Sequence, residues 1–141
     1  MLRVEGHLPI VKLLIELGAN VNAQNNQAII DASWNGHQSV IKLLIKSGAN
    51  IHAQNNRAII EASFHGHLPV VKLLVKLLIK LGANIHAQNN QAIIEASFYG
   101  HSRVVELLIK SGANIHAQNN KALECAKRKN HLNIVKLLKK N

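Results

Sequence analysis

The sequence predicts an all-α protein built as a solenoid of helical repeats, and three observations carry this prediction. The segment GANIHAQNN occurs at 48–56, 82–90 and 112–120, and the near copy GANVNAQNN occurs at 18–26. The glycines that begin these copies are spaced 30, 34 and 30 residues apart. Such a period is typical of stacked units that bury their apolar faces against their neighbours. Between copies, an Ala-Ile-Ile segment, a Gly-His pair and a Val/Ile/Leu/Lys segment recur in the same order.

Two helices are predicted in each unit, and the second unit shows them clearly. Asn26 is a residue type that caps helices, and a short first helix is expected over 27–35. Gly36 ends it, because the following turn needs a residue that tolerates positive φ. The second helix is expected over 38–46, and it is too apolar to be covered on one side only. Residues 49–56 then predict an extended turn to the next unit.

The chain is expected to form one domain, 1–141, in which the units differ at the ends. Its predicted parts are a half repeat at 1–23, repeats at 24–53, 54–87 and 88–117, and a C-terminal capping repeat at 118–141. The half repeat has too few residues for a first helix, so one apolar flank of its second helix, 8–16, is left uncovered. Either this flank belongs to a longer parent protein or it finds a partner, and self-association through it is one expectation. The last unit is polar on its outer side, as a terminal cap requires.

The third unit contains four extra residues between His67 and Gly82. Four helical residues return almost to the same face and add roughly 6 Å of length. Residues 70–81 contain no Gly, Pro or Asn, so one continuous helix of about thirteen residues is predicted. A local step between His52 and His86 in the row of connections would follow. The insertion is either a tolerated duplication of one turn or a change that creates a protruding contact, and the sequence leaves both open.

Composition limits the classes of protein that fit. Apolar residues make up 48% of the chain and few are aromatic, so the core must be aliphatic. The single cysteine, Cys125, excludes an intramolecular disulfide and fits a reducing compartment. The longest apolar run, 70–81, carries three lysines and is too short to span a membrane. No signal peptide precedes the repeats, so a soluble cytoplasmic protein without a membrane partner is expected.

Neither catalysis nor a metal site is predicted. Five of the nine histidines hold the same helix-start position in successive units, and three others form a second row. Zinc needs ligands about 2 Å from one ion, whereas equivalent positions on packed helices stand roughly 8–10 Å apart. Asp31, Glu61 and Glu95 occur singly at one helix position of successive units, and no glycine-rich phosphate loop is present. We therefore expect a binding protein that is not an enzyme and holds no cofactor.

The unit resembles the ankyrin repeat, and the resemblance covers nearly the whole chain. The residues that carry it are Gly36-His37, Val40-Ile41, Leu43-Leu44, Gly48-Ala49-Asn50-Ile51 and Ala53, with equivalents at 66–87 and 100–117. Two features depart from the family pattern, which has a period of about 33 residues and a T-P-L-H signature. Here the usual period is 30, and Gln27-Ala28-Ile29-Ile30 replaces that signature. Short units of this kind are similar to those encoded by large DNA viruses of amoebae, which would place the protein in the cytoplasm of a host cell and its partner among host proteins.

The resemblance implies protein–protein interaction through a concave surface. Trp34, Phe64 and Phe98 share one position at the end of the first helix, and the resemblance implies that this position and the next lie on the concave face, where ankyrin proteins commonly contact a partner. A row of exposed aromatic residues is typical of binding anchors. The alternative is that the rings pack on one another along the stack and contact no partner. The candidate partner-binding residues are Trp34, Asn35, Arg57, Phe64, His65, Gln91, Phe98, Tyr99, Lys121, Arg128 and Lys129.

A second function class is suggested by charge. The net charge is +10, and residues 118–141 contribute seven basic residues against one Glu. The segment 121–140 could bind nucleic acid or another anionic surface electrostatically. No module of known nucleic-acid readout accompanies it, so the sequence favours a protein partner. Salt dependence discriminates the two, because binding to nucleic acid weakens steeply as salt rises.

Overall fold

A computed structural model describes residues 7–81 and 85–141, with side chains placed for 7–81 and 90–141. These residues form helices joined by short connections and contain no β-strand. The helices are α1 (Leu8–Glu16), α2 (Ala23–Asn35), α3 (Gln38–Lys46), α4 (Ala53–Phe64), α5 (Leu68–Lys80), α6 (Ile85–Phe98), α7 (Ser102–Lys110), α8 (Ala117–Arg128) and α9 (Leu132–Lys140). The all-α solenoid predicted from the sequence is confirmed.

The helices pack in two layers. The first helices of the units, α2, α4, α6 and α8, lie side by side in chain order. The second helices, α1, α3, α5, α7 and α9, form the other layer in the same order. Each first helix also packs against the second helix of its own unit. Because the main helix contacts of the described residues join neighbouring units, the stack is the one-dimensional architecture that the repeat period predicts.

The core is made of rows of equivalent aliphatic residues between these layers. One row in the first helices is Ile29, Ile59 and Ile93, all of which are buried. In the second helices the corresponding rows are Val40, Val70, Val104 and Ile134, and Leu44, Leu74, Leu108 and Leu138. Each row continues from unit to unit, so every unit completes the burial of the one before it. Fully covering such a side chain contributes about 1.5–3 kcal/mol.

The helix bounds predicted from the sequence agree with the structure for three second helices. The predicted segments 8–16 and 38–46 are α1 and α3. The four-residue insertion is absorbed as predicted, because α5 is one continuous helix of 13 residues. Within it Leu74, Val75 and Leu78 are buried, so the added turn belongs to the core. The predicted step between His52 and His86 lies outside the described residues, because the structure describes neither Gly82 nor the side chain of His86.

The connections between units differ from the expected extended turn. Three consecutive residues adopt left-handed conformations at 24–26, 54–56 and 118–120, with φ between 51° and 66°. The side chain of Asn26 therefore does not cap α2. Its Oδ1 instead accepts a hydrogen bond of 2.8 Å from the backbone N–H of Asn50, in the connection that follows α3. Gln54 adds a second bond between these two connections, donating to the carbonyl oxygen of Asn25 at 3.1 Å.

The two ends of the described stack have different surfaces. On α1, the large apolar side chains of Ile10, Leu13 and Leu14 are about half exposed, and Leu17 follows them at 76%. At the other end, six of the exposed side chains of α8 and α9 are charged. Glu124, for example, occupies the position that the buried Ile94 holds one unit earlier. A terminal unit needs a polar outer helix. Among the described residues, no such helix covers the apolar side of α1.

Candidate functional site

The aromatic residues form one continuous row along the first-helix layer. The rings of Trp34 and Phe64 are stacked with centroids 6.4 Å apart. His65 lies 4.5 Å from Trp34, and Tyr99 lies 4.3 Å from Phe64. Phe98 continues the row at 4.8 Å from Tyr99. We call Trp34, Phe64, His65, Phe98 and Tyr99 the aromatic row.

The row is partly packed and partly open to solvent. Trp34 is 48% exposed and Tyr99 is 45% exposed, so both rings can contact a partner. Phe64 and Phe98 are half-buried, and Phe98 packs against the core. His65 was also expected to contact a partner, but its ring lies between neighbouring aromatic rings and its Nε2 is buried without a hydrogen bond. The two interpretations of the aromatic positions, contact surface and mutual packing, are therefore compatible in this geometry.

A row of histidines fixes the backbone beneath these rings. Nε2 of His67 donates a hydrogen bond of 2.8 Å to the carbonyl oxygen of Trp34. His101 makes the same bond to Phe64 at 2.8 Å, and His131 makes it to Phe98 at 3.0 Å. The imidazole of each unit thus holds the carbonyl of the aromatic residue in the unit before it. The hydrogen bonds of these three histidines therefore join neighbouring units, which is a structural role.

Two further predicted contact residues are already engaged within the chain. Arg57 forms an ion pair with Glu61, one turn along α4. Gln91 donates a hydrogen bond of 2.7 Å from its Nε2 to Glu95 at the equivalent place on α6. Neither side chain is fully buried, so each presents a polar group whose orientation is set by an acidic neighbour. The i, i+4 spacing of the oppositely charged Arg57 and Glu61 is the signal in the sequence that would have indicated the first of these pairs.

Asn35 and Lys121 occupy the edges of this surface. Asn35 is exposed and its Nδ2 donates a hydrogen bond of 2.8 Å to the carbonyl oxygen of Asp31. Lys121 is half-buried and lines a depression of about 290 Å³ next to the aromatic row, together with Gln91 and Tyr99. The predicted residues therefore lie on one side of the molecule, along the first helices and their C-terminal ends.

The last unit replaces the aromatic side chains with basic ones. Arg128 stands at the position of Phe98, and its guanidinium lies 3.5 Å from the carboxylate of Glu124. Lys129 stands at the position of Tyr99, and its Nζ lies 4.6 Å from the centre of the Phe98 ring. A cation over an aromatic face is attracted by the ring. The aromatic row thus ends in an exposed positive charge.

Other kinds of site are not indicated by the described residues. Within 7–81 and 90–141, no three His, Cys, Asp or Glu side chains stand close enough to hold a metal ion. Cys125, a residue of α8, is buried in the core. In the part of the chain that the structure describes, no helix combines the length and the hydropathy that crossing a membrane requires.

The fold is a repeat scaffold made of two layers of stacked helices. Its candidate functional feature is a surface, the aromatic row on one of these layers. Comparison with protein families then gives the particular class: residues 3–55 and 59–141 match the family described as Ankyrin repeats (3 copies). This match covers nearly the whole chain, and the chain belongs to the ankyrin-repeat family. A search of curated proteins found no match to this chain. Ankyrin repeats are in general protein–protein interaction modules and not enzymes.

Proposed function

We propose that this protein binds another protein through the aromatic row and its basic end. The observation that carries the proposal is the exposure of Trp34 and Tyr99 within a row whose backbone is held by hydrogen bonds between units. Large aromatic side chains on a rigid surface lose little conformational entropy on binding and often dominate interface energies. The partner surface would be apolar where it meets the rings and acidic where it meets Lys129.

A selection experiment tests this proposal and does not require the partner to be identified first. Protein fragments displayed on phage are selected on the immobilised full chain, and enriched fragments are then measured individually. We expect their affinity to fall about tenfold or more for Trp34→Ala or Tyr99→Ala, since buried aromatic anchors are worth about 2 kcal/mol or more. Leu132→Ala, at an exposed apolar residue of α9, is the matched control and should leave affinity unchanged. If no fragment is enriched, or if every enriched fragment ignores both aromatic substitutions, the proposal is wrong.

Binding of an anionic polymer by the last unit is the second candidate. It is favoured by five lysines of α8, α9 and the turn between them that are exposed and have no ion-pair partner among the described residues: Lys127, Lys129, Lys136, Lys139 and Lys140. If nucleic acid is the ligand, affinity for a duplex oligonucleotide must fall steeply as salt rises and must be lost in Lys127→Glu/Lys129→Glu. An affinity that changes little between about 50 and 200 mM salt would exclude this candidate.

A further inference from the structure

A second surface lies on the second-helix layer, away from the aromatic row. It is a groove of about 750 Å³ that follows α5, and residues of α3 and α7 complete its sides. Leu68, Leu73 and Ile79 contribute apolar surface to it. Lys42, Lys72 and Lys76 also line it. We call this surface the α5 groove.

The charge of the α5 groove has one sign. All three lysines are exposed, and no carboxylate lines the groove. Neither α3 nor α5 contains an acidic residue. The acidic residue of α7, Glu106, is outside the groove lining and pairs with Lys110 at 3.0 Å. The positive charge around the apolar floor therefore has no internal counterpart among the described residues.

The inserted turn gives the groove its length. Helix α5 has 13 residues, whereas α3 and α7 have nine each. The added residues carry Ile79, which is 53% exposed, beyond the ends of the flanking helices. Lys72 and Lys76 are spaced by four residues, so they stand on the same side of α5. The insertion thus produces a surface that the regular units lack.

We propose that the α5 groove binds an acidic amphipathic helix of a protein partner. The apolar residues of that helix would contact Leu68, Leu73 and Ile79, and its Asp and Glu side chains would pair with Lys42, Lys72 and Lys76. A helix of 13 residues, such as α5, is about 20 Å long, so an antiparallel or parallel helix of about the same length spans the groove. Docking of an amphipathic helix into an apolar groove is a common recognition mode, and complementary charge sets its specificity. This surface is separate from the aromatic row, so either proposal can fail alone.

Titration with a synthetic peptide tests the α5 groove. The probe is a fluorescein-labelled helix of about 14 residues with Leu at i, i+3, i+4 and i+7 and with Glu on both flanks of that stripe. Fluorescence anisotropy is measured against the full chain at about 50 and 150 mM salt. We expect saturable binding, weakened about tenfold or more by Lys76→Glu and by Ile79→Ser. A peptide with Lys in place of Glu should not bind.

Matched variants and a second probe decide what any binding means. Lys139→Glu and Leu132→Ser change an exposed lysine and an exposed leucine of α9, and both should keep the affinity of the unaltered protein. Circular dichroism confirms that every variant remains folded. Equal weakening by Lys139→Glu and Lys76→Glu would overturn the proposal, because it would show general charge attraction. Absence of peptide binding would also overturn it, and co-sedimentation with phosphatidylserine vesicles that Lys76→Glu abolishes would then identify a membrane surface as the ligand instead.

Discussion

The imidazole of His101 fills the space in which a side chain at Gly66 would stand. A Cβ atom added to Gly66 would lie 2.5 Å from Nδ1 of His101, closer than a Cβ atom approaches any neighbour in real structures. Gly66 also has a φ of 70°, which L-residues adopt at a cost. The Gly-His pair that recurs in the sequence therefore joins units: the glycine of one unit accommodates the histidine of the next, and that histidine holds the carbonyl of Phe64.

This relationship predicts that two glycine substitutions will differ in cost. Gly48 has a φ of 95° but nothing within 4 Å of an added Cβ, so Gly48→Ala carries only the backbone cost of about 1–2 kcal/mol. Gly66→Ala must in addition displace His101, which loses a hydrogen bond worth about 0.5–1.5 kcal/mol. Urea unfolding followed by circular dichroism should thus give a lower free energy of unfolding for Gly66→Ala than for Gly48→Ala. Equal values would show that the imidazole moves aside freely.

The histidine itself gives a second prediction. His101→Ala leaves the carbonyl of Phe64 without its partner, and an unsatisfied polar group costs about 1–3 kcal/mol when buried. His116→Ala is the matched control, because His116 is exposed and its imidazole bonds to Asn120, four residues away in the same helix turn. We expect the midpoint of urea unfolding to fall clearly for His101→Ala and by less than half as much for His116→Ala. The reverse order would contradict a role of the Gly-His pair in joining units.

Sequence reasoning located the second helices well because their apolar positions repeat with helical spacing. The prediction for α5 succeeded for the same reason, since four added residues keep an apolar stripe on nearly the same face. The left-handed turn at 24–26 was not predicted. Three consecutive non-glycine residues in that region cost roughly 1–2 kcal/mol each by local rules, so no local rule selects them. The bond from Asn50 to Asn26 offsets part of this cost, and it joins residues 24 positions apart.

For the candidate site, the sequence predicted positions but not orientations. The shared place of Trp34 and Phe64 at the ends of first helices followed from the repeat alignment. In the structure His65 turns into the row, whereas Tyr99 at the equivalent position is 45% exposed. This difference depends on how neighbouring rings fit together. Because the equivalent residue differs in every unit, repetition carries no information about that fit. Which of the rings contacts a partner remains a prediction for the substitutions proposed above.

The apolar surface of α1 predicts self-association. Leu13 is 53% exposed and Leu17 is 76% exposed, and Ile10 and Leu14 add to the same region. Covering such side chains contributes about 25 cal/mol per Å² of apolar area, so two copies gain by burying them against each other. We expect sedimentation velocity to show reversible dimers that Leu13→Lys/Leu17→Lys makes monomeric. Leu132→Lys, on the exposed side of α9, should leave dimers intact, and a protein that is monomeric at about 100 μM would contradict the prediction.

The four-residue insertion in α5 gives the last prediction, in which a deletion is milder than a point substitution. Leu74 is buried, and Leu74→Ala should cost about 2–5 kcal/mol because it leaves a cavity. Removing residues 74–77 instead shortens α5 by about 6 Å and rotates the following residues by only about 40° relative to the core. Leu78 then takes the place of Leu74, and the helix reads LPVVKLLIK, which closely matches LPIVKLLIE of α1. We therefore expect the deletion variant to fold and to have a higher free energy of unfolding in urea than Leu74→Ala.

The deletion is expected to be mild because the stability of a one-dimensional stack depends on the register between neighbouring units more than on the length of one helix. The deletion restores the spacing of 30 residues found in the other units, and Leu78 fills the place of Leu74 in the buried row between Leu44 and Leu108. It also removes Lys76 and shortens the α5 groove, so the deletion variant should lose binding of the acidic peptide while it stays folded. If the deletion variant unfolds at a lower urea concentration than Leu74→Ala, the inserted turn is an integral part of the stack and not an addition to a regular unit.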